Sequence, residues 1–168
     1  SPYGDMKISP AAGVLNYGQG LFEGMKAYRT SKDRVVFFRP EENARRMQRG
    51  ADRLKMPPVP ESIFVDAVEQ CVQANLRWLP PMGRGAMYVR PLLMGSGPIL
   101  GVAPAPSYRF LVYVTPVGPY FKGGVKTIDL LISDIYHRAA PGGSGGVKAI
   151  GNYAPGMMPS KDAKAKGY

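Results

Sequence analysis

Two pairs of adjacent prolines, Pro57-Pro58 and Pro80-Pro81, do most to limit what this chain can fold into. Proline lacks a backbone N–H, and its ring pushes the preceding residue out of the helical region. No helix can run through either pair. The segment before the first pair opens at Pro40, a tolerated first-turn position, with Glu41 and Glu42 at the favourable end of the helix dipole. Ala44, Met47, Ala51 and Leu54 recur at helical spacing, so residues 40–55 are predicted as a helix. On it, Arg45 and Arg49 fall away from the apolar stripe, Arg46 lies nearer its edge, Arg53 shares that flank, and Gly50 leaves space there. Between the proline pairs, Ile63, Phe64, Ala67, Val68, Cys71, Val72 and Leu76 predict a second helix over residues 61–78, with Cys71 as a small core residue.

On both sides of this helical block the pattern changes to strands. Residues 9–20 suggest a short helix or turn ending at glycines. Residues 22–30 and 34–38 form a predicted hairpin around the turn Ser31-Lys32-Asp33. Further strands are predicted over residues 86–94, 108–117 and 125–133, with loops at 95–106 and 118–124. In the first of these, alternation puts Tyr88 and Arg90 on one face and Met87 and Val89 on the other. A loop over residues 139–146 leads to a last helix at 154–166, which Gly167 closes. The fold class is mixed α/β, with helices and strands in separate runs (α+β).

Several chemistries are excluded. One histidine, His137, and one cysteine cannot build a zinc site or a disulfide framework. A phosphate-cradling P-loop needs glycine before its lysine and Ser/Thr after it, but Val147 and Ala149 flank Lys148. Gly18-Gln19-Gly20-Leu21-Phe22-Glu23 lacks the last glycine of the dinucleotide fingerprint. No run of eighteen apolar residues predicts a membrane-spanning helix. The net charge of +10 favours anionic partners, yet the basic residues are scattered, so a solvated surface is expected rather than a nucleic-acid site.

The remaining chemical signal is Gly142-Gly143-Ser144-Gly145-Gly146-Val147-Lys148-Ala149-Ile150-Gly151-Asn152-Tyr153. Glycine lets backbone approach a ligand closely. A lysine held in a tight pocket can become a nucleophile toward carbonyls and aldehydes. The local sequence is equally compatible with a flexible linker. Tyrosines on sheet faces and arginines beside apolar stripes suit an anionic aldehyde cofactor and carboxylate substrates.

The run Leu15-Asn16-Tyr17-Gly18-Gln19-Gly20-Leu21-Phe22-Glu23-Gly24-Met25-Lys26-Ala27-Tyr28 resembles the N-terminal signature of branched-chain amino acid aminotransferases. So do Phe38-Arg39-Pro40 through Arg46-Met47, Tyr88-Val89-Arg90-Pro91-Leu92, Leu100-Gly101-Val102, Pro116-Val117-Gly118-Pro119-Tyr120, and Lys148 through Tyr153. The flavour is plant-like. The resemblance implies the fold-type-IV architecture of pyridoxal-phosphate enzymes. Residues 1–122 would form a small N-terminal α/β domain, and 123–168 an interdomain loop and the first part of a large pseudo-barrel domain. It also implies pyridoxal 5'-phosphate as cofactor, and transfer of an amino group between leucine, isoleucine or valine and 2-oxoglutarate. No nucleic-acid or membrane partner is implied.

Carried over by position, Lys148 matches the lysine that condenses with the cofactor aldehyde and later moves the substrate proton. Tyr153 matches the tyrosine facing the cofactor's ring hydroxyl, and Arg46 the arginine gripping its phosphate. Tyr88 resembles the residue at the substrate α-carboxylate, and Arg90 the one that receives the side-chain carboxylate of glutamate. Tyr17, Phe22 and Tyr120 resemble the aromatic pocket walls. Leu100 and Val102 resemble a loop reaching into the neighbouring subunit of a homodimer. The family continues well beyond Tyr168, so this chain alone is expected to be inactive. A truncated form acting as a dimerising partner is the expectation from a different class. D-amino acid aminotransferase and aminodeoxychorismate lyase are the alternatives within the fold. The plant-like resemblance suggests plastid or mitochondrion, with cytoplasm also open.

Overall fold

The computed structural model describes residues 2–119 and 127–168. Its centre is one antiparallel sheet. Strands β1 (Gly20–Phe22) and β2 (Met25–Arg29) lie along one edge of β4 (Ala86–Gly95), and β5 (Tyr108–Val117) lies along the other. β3 (Val35–Val36) extends the sheet beyond β2.

β1 and β2 keep a single register against β4: Gly20 faces Met94, Phe22 faces Leu92, Met25 faces Val89 and Ala27 faces Met87. The interruption between them has a covalent cause. The Glu23 N–H donates to the Pro91 carbonyl at 2.8 Å, but Pro91 has no N–H to return. The strand expected over residues 22–30 is therefore one strand broken at Glu23-Gly24. The return strand is shorter than expected, and Phe38 is 80% exposed.

Helix α2 (Pro40–Arg53) starts at the predicted proline, and α3 (Glu61–Ala74) follows the first proline pair. Both pack on one face of the sheet. Ala44, Met47 and Ala51 from α2 and Phe64, Val68 and Val72 from α3 bury against Leu21, Met25, Ala27, Met87, Val89 and Leu93. Phe64 stacks on Phe110 of β5 at 5.9 Å between ring centres. The space at Gly50 is filled by Leu21: a β-carbon there would meet Leu21 Cδ2 at 2.7 Å.

Four expectations are corrected. α3 ends at Ala74, because the Asn75 amide donates to the Cys71 carbonyl at 2.8 Å and only a 3₁₀ turn, Leu76–Trp78, continues. Cys71 is half-buried rather than core, since the buried arc of α3 is limited to Phe64, Val68 and Val72; burial pushes its thiol pKa up. Residues 127–133 form no strand, with Ile128, Leu130 and Ile132 exposed, because no described strand lies beside them; 125 and 126 lie outside the described residues. The final helix opens as a 3₁₀ turn, Ala154–Gly156, before α4 (Met157–Ala165), which buries no side chain. A short helix α1 (Gly13–Tyr17) ends where Gly18 takes φ 63°.

Gly50→Val is expected to overpack the α2–β1 contact and lower unfolding free energy by about 1–3 kcal/mol. Urea unfolding should show a lower midpoint with an unchanged slope.

Candidate active site

The helix-free face of the sheet carries the side chains of Phe22, Tyr88 and Arg90, as cross-strand pairing requires: Phe22 lies opposite Leu92, and Lys26 opposite Tyr88. The Arg90 guanidinium stands 4.5 Å from the centre of the Phe22 ring and donates from Nη2 to the Tyr88 hydroxyl at 2.8 Å. Among the described residues, Arg90 Nε is buried without a hydrogen-bond partner. A buried donor left unpaired costs free energy until something accepts from it. Gly24 is what allows Tyr88 to lie here, since a β-carbon at that position would sit 2.1 Å from the Tyr88 hydroxyl.

The lysine segment reaches this face along the outer edge of β1. The Phe22 N–H donates to the Lys148 carbonyl at 3.2 Å, and Ala149 bridges to Leu21. Ile150 fits against Gly20, where a β-carbon would meet its Cδ1 at 2.4 Å. Lys148 Nζ then lies 4.3 Å from the centre of the Phe22 ring and donates to the Tyr153 hydroxyl at 3.0 Å. The Phe22 and Tyr153 rings are tilted by 60° at 4.8 Å. Lys148 is half-buried between aromatics rather than sealed in a tight pocket. Its segment is packed on the sheet, so the linker alternative fails for residues 147–150.

Arg46 is held by the fully buried Glu23. Its Nε donates to Oε1 at 2.7 Å and its Nη2 to Oε2 at 2.5 Å, and the Asn43 amide donates to Oε2 at 2.8 Å. The Glu23 hydrogen bond raises the Arg46 pKa against partial burial, and Tyr153 adds a smaller electrostatic contribution in the same direction. Arg46 therefore stays cationic, half-exposed, with Nη1 free of a described protein hydrogen bond. Arg45 is spent elsewhere, on Glu42 and Glu61, and Arg53 donates to the Gly142 carbonyl. Tyr153 is among the groups acting on the charge of Arg46 but not of Arg45.

Lys148, Tyr153, Phe22, Arg90 and Tyr88 thus form one cluster, with Arg46 in electrostatic reach. Tyr17, Leu100 and Val102 form a different group. The Tyr17 hydroxyl donates to the Leu100 carbonyl, and the Leu100 and Val102 side chains are 76% and 88% exposed. Tyr120 lies outside the described residues. Sequence reasoning missed Glu23, which alternation places beside Leu21 and Met25 on the apolar face; a carboxylate there demands a partner. It also missed Asn152, whose side-chain partners are Ser144 and the Val147 carbonyl. Among the described residues, no group of three or more His, Cys, Asp or Glu could hold a metal ion, and no helix is long and apolar enough to cross a membrane.

The chain is similar to plant branched-chain aminotransferases. It is 59% identical over 167 residues to chloroplastic branched-chain-amino-acid aminotransferase 5 of Arabidopsis thaliana, covering 99% of this chain and 40% of that protein. It is 53% identical over 166 residues to mitochondrial branched-chain amino acid aminotransferase 1 of Humulus lupulus, covering 99% of this chain and 42% of that one. The chain thus spans about two fifths of the length of the curated relatives it matches. Among solved structures, a T.th. branched-chain amino acid aminotransferase with pyridoxamine 5'-phosphate superimposes with a TM-score of 0.82 at 28% identity, covering 99% of this chain and 54% of that one. The fold is that of the fold-type-IV branched-chain aminotransferases. No family model matches the chain.

Arg46→Ala strands the buried Glu23 carboxylate with only Asn43, and is expected to cost roughly 3–5 kcal/mol in chemical unfolding. Adding Glu23→Gln should recover a measurable part of that loss, because the orphaned charge is gone. A double variant no more stable than Arg46→Ala would contradict the pairing.

Proposed function

We propose that this chain contributes the small domain and the cofactor lysine of a pyridoxal-phosphate-dependent branched-chain aminotransferase, which exchanges amino groups between branched-chain amino acids and 2-oxoglutarate. One observation carries it. A primary amine, a phenol and an arginine whose buried Nε has no partner among the described residues converge on the single ring of Phe22. The donor set suits the cofactor: Lys148 for an aldehyde, Tyr153 for a ring hydroxyl, and the open edge of Arg46 for a phosphate.

Pyridoxal phosphate, when bound, supplies an aldehyde that takes up the substrate amino group and a ring that withdraws electrons from it. Lys148 Nζ carries the proton from substrate Cα and returns it to the other side of the transfer. Its hydrogen bond to Tyr153 holds the amine at a fixed place above the sheet. Tyr88, folded over Gly24, and Arg90 present a hydroxyl and a guanidinium to carboxylates, while Phe22 provides an apolar wall. An apolar pocket with one arginine accepts aliphatic side chains by packing and a glutamate side chain by charge.

The exposed group of Leu100, Val102 and Tyr17 suits contact with a second copy, so we also propose a homodimer. We assign residues 1–122 to the small domain and the remainder to the start of a second one. Plastid or mitochondrion is the proposed compartment, since relatives from both are similar to this chain.

In the full-length protein reconstituted with pyridoxal phosphate, Lys148→Ala should abolish the visible absorbance band and leucine–2-oxoglutarate turnover together. A band that persisted would place the cofactor elsewhere. Arg90→Ala should lower kcat/KM for glutamate by about 10- to 100-fold, the cost of a lost charged hydrogen bond, and affect leucine much less. Equal losses for both amino acids would remove Arg90 from the specificity role.

A further inference from the structure

We infer that Asn152 is a positioning residue for Lys148. Its side chain is only 9% exposed and closes a ring across the glycine-rich turn. Nδ2 donates to the carbonyls of Ser144 at 2.7 Å and Val147 at 2.9 Å, and Oδ1 accepts from Ser144 Oγ at 2.6 Å. Both amide hydrogens are therefore committed to the backbone flanking Gly145-Gly146. Glycine pairs have the largest backbone freedom of any dipeptide. Besides the Asn152 amide, the turn is held by the Val147 N–H donating to the Ser144 carbonyl at 3.2 Å and by Ala139 against Gly145, while a β-carbon on Gly146 would meet nothing within 4 Å.

The second carbonyl belongs to Val147, the residue directly before Lys148. On the other side, Lys148's own carbonyl receives the Phe22 N–H, and Ala149 bridges to Leu21. The lysine backbone is thus fixed between the Asn152 amide and the edge of β1. Asn152 is also the last residue of the 3₁₀ turn Ile150–Asn152 that delivers Tyr153. One side chain therefore holds both ends of the Lys148–Tyr153 hydrogen bond, through the turn before the amine and the turn before the phenol. Loss of the amide hydrogens frees the glycine turn and lets that 3.0 Å contact lengthen. The consequence for cofactor capture rests on the function proposed above; the hold on the backbone does not.

The test uses the full-length protein with Asn152→Ala, Asn152→Asp and Ser144→Ala. Asn152→Asp keeps the shape but turns both donors into oxygen facing carbonyls. Ser144→Ala keeps both donated bonds. Without cofactor, amide hydrogen exchange at Phe22 should accelerate about tenfold or more in both Asn152 variants, the equivalent of losing one to two hydrogen bonds, while exchange within β4 stays unchanged. With pyridoxal phosphate and borohydride, covalent labelling of Lys148 followed by peptide mass spectrometry should slow about 10- to 100-fold in both, and no more than about twofold in Ser144→Ala. Unchanged exchange at Phe22, or wild-type labelling in Asn152→Asp, overturns the assignment. So does faster exchange throughout β4, which marks a general structural role. If Lys148 of the unaltered protein is not labelled, the cofactor proposal falls, while the exchange result still decides the role of Asn152.

Discussion

Strand β4 is paired along both edges, and the rest of the structure hangs on that double ladder. Its ten residues pair with β5 without a break on one side, and with β1 and β2 in a single register on the other. A fixed register fixes which side chains share a face, because a one-residue slip would exchange the two faces throughout. Met87, Val89 and Leu93 are thereby committed to the helices, and Tyr88 and Arg90 to the opposite side. The same register places Gly24 beside Arg90, so that Tyr88 has room to lie across it. Pro91 breaks the ladder at Glu23, and a break there is tolerable because the Glu23 side chain anchors the strand to α2 instead.

The lysine segment depends on this arrangement in turn. β1 has β4 on one edge, and its other edge offers the Phe22 N–H to Lys148. An edge strand with unsatisfied groups is a liability unless something covers it. Here residues 148–150 cover it and bring the amine to the sheet's open face. The backbone pairing does what side-chain packing cannot do in so glycine-rich a region. Ile150 adds a large apolar contact, through the space that Gly20 leaves.

Legibility in the sequence followed the kind of interaction involved. The helix starts were read well because Pro40 and Pro60 precede or open them, and a 3.6-residue stripe set their faces, as Ala44, Met47 and Ala51 show, whereas the end of α3 was set by Asn75. The two faces of β4 were read from alternation alone. The break at Glu23-Gly24 was not, because it arises from the missing N–H of a residue sixty-eight positions away. Cys71 misled for a related reason: a sequence stripe is broader than the arc a sheet can cover. At the site, Lys148 and Tyr153 were singled out through a resemblance; Glu23 was marked only by alternation, as a carboxylate on the apolar face, and Asn152 binds backbone carbonyls that no local pattern encodes. Residues 127–133 have strand-like composition, yet β structure is made by partners and none of the described strands is adjacent.

The charge arrangement separates two kinds of arginine. Arg46 is neutralised by a carboxylate that cannot reach water, so its charge belongs first to the fold. Arg90 and Lys148 differ: among the described residues no carboxylate forms a salt bridge with either, and both lean on the same aromatic ring. Each ring contact contributes only about 0.5–2 kcal/mol. The two cations reach that ring by different routes: Arg90 from β4, through the register that sets it on the helix-free face, and Lys148 from the segment paired to the outer edge of β1. Among the described residues the Arg90 Nε is buried without an acceptor, and a donor so placed costs free energy until one reaches it. The fold thus fixes where these groups stand through backbone pairing, and leaves their polar partners unfilled.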